Sequence, residues 1–192
     1  WRVVLTDDHG HAIAVGRVLR GLPPRDLRPS GSVSLVGRVT VTMPVTSLDP
    51  DLPEDTPTGE ILHDILRAAA RARTRAVQLA EADLQAPARC AHGEASAAYR
   101  PPPRIREYVT ARDLTCRYPY CGQPAWRGDL DHTRPWHRGG PTCRCNLGPL
   151  CRAHHILKQL SGWQLTQPQP GIFQWITPAG RAYTVGPDTH HS

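Results

Sequence analysis

The 192-residue chain has no run of eighteen or more apolar residues, so no membrane-spanning helix is expected. It shows no secretory signal pattern. It begins at Trp1 rather than Met, which is the expectation for a piece of a longer chain. Lysine is almost missing: Lys158 is the single one among 23 basic residues. A GC-rich coding bias accounts for Arg replacing Lys, but not for where the charge sits. Residues 1–103 hold twelve Arg and twelve acids, whereas residues 104–192 hold eleven basic residues and five acids. The whole formal excess of +6 therefore lies in the second half, as expected of a phosphate-binding module beside a neutral partner.

Cysteine is nearly absent from the first half too. Cys90 stands alone, while Cys116, Cys121, Cys143, Cys145 and Cys151 crowd together among histidines. A secreted disulfide scaffold spreads its cysteines along the chain. Mixed Cys and His at short spacing point instead to metal sites in a reducing compartment, and a cytoplasmic location is expected.

The chain divides by pattern. Residues 1–20 alternate around Asp7-Asp8-His9-Gly10 and predict a β-hairpin. Residues 21–32, with Pro23, Pro24, Pro29 and Gly31, read as a turn or linker. Val33 to Val45 is a β-branched strand pattern, and residues 48–58, with three Pro and four acids, are an exposed loop. Over residues 59–84, Ile61, Leu62, Ile65, Leu66, Ala69, Ala72, Ala76 and Leu79 recur at helical steps. Arg67, Arg71, Arg73 and Arg75 on that helix read as a solvated face. Residues 86–103 form an Ala/Pro/Gly-rich linker, and the domain boundary is placed in it. A short helix follows from Arg104 to Leu114, then a strand from Trp126 to Asp131. The expected division is 1–98, the remnant of an N-terminal domain (hairpin, strand, helix) with its linker, and 99–186.

Two metal sites are legible in the second half. Cys116-Arg-Tyr-Pro-Tyr-Cys121 makes a short knuckle, and Cys151 and His154, three residues apart at a helix start, share one side of its first turn. Four N/S ligands in two short pairs suit tetrahedral Zn²⁺, which closes small folds. The plain alternative is ordinary thiols or a disulfide. Cys143 and Cys145 compete as ligands but are spaced awkwardly for chelation, and are left as spares. The second site is expected at Asp131, His132, Asn146 and His155. His155 lies one residue past His154, so it points about 100° away from the zinc. Asp131 and His155 can supply two ligands to a hard divalent ion. His132 alternates with Asp131 on the strand and is placed to take a proton from water. Asn146 is expected to hydrogen-bond His132. Arg134, Arg138, Arg144, Arg152 and Lys158 are candidates for phosphate contacts. Trp136 and His137 either contact DNA or cover the small core. Trp163, Phe173, Trp175 and Tyr183 alternate with polar residues and predict a closing β-hairpin. His9, His11, His63, His92, His190 and His191 fit no ligand pattern.

The series Cys-x4-Cys, Asp131-His132, Gly139-Gly140, Asn146-Leu147, Cys-x2-His-His and Lys158 resembles the HNH nuclease family. It is most similar to the C-terminal domain of a large actinobacterial repeat family whose N-terminal domain has no assigned function. Tyr99-Arg100-Pro101-Pro102, Arg112-Asp113 and the tail from Gly162-Trp163 match as well, so the resemblance covers about residues 99–185. It implies an α+β fold: a ββα-metal (HNH) domain with a structural zinc, over 99–186, preceded by a partial α/β or disordered N-terminal remnant. It implies a metal-dependent endonuclease in which His132 is the general base and Asn146 orients it. Asp131 and His155 would hold Mg²⁺ or Mn²⁺, and Cys116, Cys121, Cys151 and His154 the zinc. The family often carries Cys where His154 stands. The implied partner is double-stranded DNA, gripped by backbone and minor groove. The alternatives are an inactive zinc-stabilised nucleic-acid-binding module and a decayed mobile-element fragment.

Overall fold

The structure, a computed structural model, describes residues 2–17, 40–47, 61–86 and 90–190, with backbone alone for 47 and 61–63. It is a mixed α+β fold. Strands β1 (Arg2–Thr6) and β2 (Ala12–Arg17) form an antiparallel hairpin, and β3 (Thr40–Pro44) adds in parallel to the other side of β1. The hairpin turns where Asp7 bonds its own loop: its carboxylate accepts the amides of His9 and His11, both at 2.9 Å. The strand expected over 33–45 is described only from residue 40. The turn expected at 21–32 and the loop at 48–58 lie outside the described residues.

Helix α1 (Ile61–Gln85) lays its alanine face on this sheet. Val3, Leu5 and Ala14 of the sheet pack with Ile65, Ala68, Ala69 and Ala72 of the helix. Small helical residues let the backbones approach closely, and fully burying each Val or Leu contributes about 1.5–3 kcal/mol. The opposite face of β1 is covered too. Val4 and Ala12 pack against Ala111 of α2 (Pro103–Asp113). Helix α2 begins at a proline, whose missing N–H costs nothing in the first turn.

The remaining strands hold the expected site. After α2, Ala125–Arg127 forms a 3₁₀ turn and β4 spans only Asp129–His132. The strand expected from Trp126 is thus shorter: Pro124 fixes the turn, and Ala125 N–H is taken by Leu114 O at 2.7 Å. β4 pairs antiparallel with β5 (Leu147–Leu150), setting Asp131 opposite Gly148 and His132 opposite Leu147. A short helix, α3 (Arg152–Leu157), follows at once. Strands β6 (Gln164–Gln169), β7 (Ile172–Ile176) and β8 (Ala182–Val185) form an antiparallel sheet of three, one strand more than the hairpin expected. Its Phe173 and Trp175 are fully buried. Gly148 makes room for the Phe173 ring, which a β-carbon at that position would meet at 2.3 Å. Among the described residues, no helix is long and apolar enough to cross a membrane.

A buried cation ties these pieces together. Arg112 forks onto Asp113 through Nε at 2.7 Å and Nη2 at 2.6 Å, and also donates to the carbonyls of Arg144 at 2.7 Å and Leu147 at 2.9 Å. Arg112 and Asp113 are both buried. Removing one member of such a pair strands the other in low dielectric, a cost of about 3–5 kcal/mol. Arg112→Ala is therefore expected to lower the unfolding free energy by that amount in urea denaturation. A loss below about 0.5 kcal/mol, typical of surface changes, contradicts this account.

Candidate functional site

Helix α3 carries two adjacent imidazoles to two different places, because successive helical residues diverge by about 100°. His154 turns toward the cysteines. Its Nδ1 lies 3.2 Å from Cys151 Sγ and 3.5 Å from Cys116 Sγ, and with Cys121 the four ligand atoms all lie within 4.8 Å of one another. A tetrahedral ion with bonds of about 2.3 Å to sulfur and 2.05 Å to nitrogen sets the S···N separation near 3.6 Å, so the group is compatible with a structural metal such as zinc. All six cysteines are free thiols. Burial pushes the Cys116 thiol up to about 12, so only a nearby cation would hold it as thiolate.

The support around this group is aromatic. Tyr118 stacks on the His154 ring at 3.8 Å and meets Trp175 edge-on, and Trp175 Nε1 donates to Arg117 O at 2.6 Å. Tyr120, with φ +61, bends the chain between Cys116 and Cys121. Arg117 is itself buried and holds the tail, through Gly186 O at 2.5 Å and Asp188 at 2.6 Å.

His155 turns the other way, toward β4. Its Nδ1 sits 2.9 Å from Asp129 Oδ2 and its Nε2 3.3 Å from Asp131 Oδ1. A neutral imidazole donates to only one of these two carboxylates. Asp129 holds the ring from the Nδ1 side. The sequence reading gave Asp129 no role. The signal was there, since residues i and i+2 share one face of a strand.

Lys158 comes one turn later. Its Nζ contacts Asp131 Oδ2 and the His132 carbonyl, the latter at 2.5 Å. It was expected at a phosphate, but here it neutralises the second oxygen of Asp131.

His132 is buried, 4 % exposed, and burial holds its pKa below the ordinary histidine value. Its Nε2 lies 2.8 Å from Thr142 Oγ1, and Tyr99 stacks on its ring at 5.4 Å. Asn146, expected to bond His132, does not. Its Oδ1 accepts Arg134 N–H at 2.8 Å, and its Nδ2 donates to the carbonyls of Arg134 and Pro141, both at 3.0 Å. It closes the 134–141 loop instead, and the partner of His132 is Thr142. Gly140 is required there, because a β-carbon would stand 1.9 Å from Arg134 O.

Asp131, His132, His155 and Lys158 line one cavity of about 230 Å³ together with Tyr99, Pro135, Trp136, His137 and Gln159. Trp136 is 45 % exposed at its rim, on a 3₁₀ turn (Trp136–Arg138), and Arg134 and Arg138 are exposed on the same loop. Arg152 is open to solvent at 78 %. Arg144 is not available in the same way: its guanidinium is largely covered and pairs with Asp83 of α1. The spare Cys143 and Cys145, lone Cys90 and unassigned His92 form a second Cys/His group of their own.

Two proteins of Mycobacterium tuberculosis are similar to part of this chain. Uncharacterized protein Rv3776 is 46% identical over 92 residues, 47% of this chain and 18% of its own length. Uncharacterized protein Rv2100 is 46% identical over 90 residues, 46% of this chain and 16% of its own. The chain thus spans less than a fifth of the curated relatives it matches. No family model and no solved structure matches it.

Cys151→Ser is expected to release one equivalent of bound zinc relative to the parent chain, read by elemental analysis of purified protein. Zinc content unchanged by that substitution rules out Cys151 as a ligand.

Proposed function

We propose that residues 99–186 form a ββα-metal nuclease of the HNH type that hydrolyses phosphodiester bonds in double-stranded DNA. The observation that carries this reading is the convergence of Asp131, His132 and His155 on a single open cavity, with His155 Nε2 3.3 Å from Asp131 Oδ1. The order β4, β5, α3 supplies two strands and a helix around it. Asp131 and His155 would hold Mg²⁺ or Mn²⁺, hard ions that suit a carboxylate and an imidazole. When bound, such an ion stabilises charge on the phosphate and on the departing 3′ oxygen.

The chain's own residues do the rest. In the tautomer that carries its proton on Nε2, His132 donates to Thr142 Oγ1, whose hydroxyl can turn to Tyr99 O at 3.4 Å. This tautomer leaves His132 Nδ1 with the lone pair. Nδ1 takes the proton from a water, and the resulting hydroxide attacks phosphorus in line. A histidine kept neutral by burial is suited to this at neutral pH. Asp129 keeps the His155 ring facing Asp131, and Lys158 balances the charge of Asp131. The exposed Arg134 and Arg138 would meet the DNA backbone, and Trp136 and Tyr99 the groove beside it.

The test is plasmid nicking by the full chain with Mg²⁺ or Mn²⁺. Cleavage is expected to stop in EDTA, and His132→Ala to lower it by about 10²–10⁴-fold, the usual worth of a general base, with zinc content unchanged. A parent chain that binds DNA without nicking it would be a zinc-stabilised binding module. An active His132→Ala would mean another group takes the proton.

A further inference from the structure

The four residues outside the first zinc group repeat its design. Cys90 Sγ lies 3.7 Å from Cys143 Sγ, and Cys145 Sγ lies 3.4 Å from His92 Nδ1. All four ligand atoms are within 4.8 Å of one another. Tetrahedral zinc sets S···S near 3.8 Å and S···N near 3.6 Å, from its bond lengths of about 2.3 and 2.05 Å. A disulfide is a poor account of the same atoms. Its sulfurs stand about 2.05 Å apart, and it would leave His92 and Cys145 without a reason to converge.

Local structure explains how such unpromising spacings work. Cys143 to Asn146 is a tight turn closed by Asn146 N–H to Cys143 O at 3.0 Å. On a strand residues i and i+2 share a face but stand roughly 7 Å apart, and on a helix they diverge by about 160°. In this turn both thiols point the same way. His92 has φ +53, a left-handed conformation rare outside glycine, and its carbonyl accepts Ala95 N–H at 2.8 Å. That sharp bend brings its ring back over the cysteines.

The two halves of the group are also braced from behind by one carboxylate. Asp83, near the end of α1, accepts Ala91 N–H at 2.8 Å with Oδ1 and pairs through Oδ2 with Arg144. Ala91 lies between Cys90 and His92, and Arg144 between Cys143 and Cys145. Outer partners that fix both ligand-bearing segments are characteristic of built metal sites.

We propose that Cys90, His92, Cys143 and Cys145 bind a second structural Zn²⁺. Thiolates and an imidazole select a soft or borderline ion, and one histidine among three cysteines suits zinc better than an iron–sulfur cluster. The ion would join segments 53 positions apart. It would clamp the turn between Thr142, which bonds His132, and Asn146, which closes the neighbouring loop. This stands whether or not the chain cuts DNA.

The test is zinc stoichiometry of the full chain purified under reducing conditions. Two equivalents per chain are expected. Cys143→Ser should leave one and Cys121→Ser should leave one, each removing a different ion, with the double variant retaining none. His92→Cys should keep two. On replacing zinc with Co²⁺, His92→Cys should strengthen the thiolate-to-cobalt charge-transfer absorption, since a fourth thiolate joins the site. One equivalent in the parent that Cys121→Ser abolishes would overturn the proposal. So would a Cys90–Cys143 disulfide found by mass spectrometry after alkylation, or two equivalents retained in Cys143→Ser. If a variant fails to fold, the parent loaded with Co²⁺ decides: thiolate-to-cobalt absorption from two ions supports the proposal, and absorption from one overturns it.

Discussion

The arrangement turns on the first turn of α3. Two neighbouring imidazoles must face apart: His154 into the thiols of Cys116, Cys121 and Cys151, His155 across to Asp129 and Asp131. A helix of six residues has little stability of its own, since isolated helices of this length do not persist in water. Something outside the helix must fix its rotation. The sulfur–nitrogen group at its N-terminus does this on one side, and Tyr118 stacked on His154 does it again. If the helix turned by a fraction of a residue, His155 would leave Asp131 and His154 would leave the thiols together. The two clusters are therefore one geometric constraint.

Much of this was legible because short-range geometry decides it. Cys116, Cys121, Cys151 and His154 are pairs at close spacing, and a helical step of 100° separates His154 from His155 whatever the rest of the chain does. The hairpin at residues 2–17 and the alanine-faced helix α1 were legible for the same reason: period and turn chemistry are local.

What was not legible depends on contacts between distant segments. Cys90 and His92 meet Cys143 and Cys145 only through the fold, and the Cys143–Asn146 turn was not anticipated from Cys-Arg-Cys-Asn. Asn146 was paired with His132, but its amide faces two carbonyls and one N–H of the 134–141 loop, a set that a side chain with both donors and an acceptor satisfies fully. Thr142, which takes the place beside His132, belongs to no motif of its own. Arg144 was grouped with the phosphate-facing arginines, whereas Asp83 sixty-one positions earlier claims it. Tyr118 and Trp175 likewise became supports of the thiol group only once β7 was folded against Leu150 and Cys116.

Strand β1 is covered on both faces, by α1 through Val3 and Leu5 and by α2 through Val4. A strand with no wet side belongs equally to the two layers that enclose it. Arg17 on β2 reaches Glu107 on α2, and the amide of His190 bonds Gly10 O while its imidazole bonds Ala111 O. The chain's opening hairpin thus lies between the helix that leads into the cysteine-rich half and the segment that ends it. A cut between the halves would bare Ala111 of α2 and take Arg17 away from Glu107. What looks in one dimension like a detachable lead-in is, in three, a wedge.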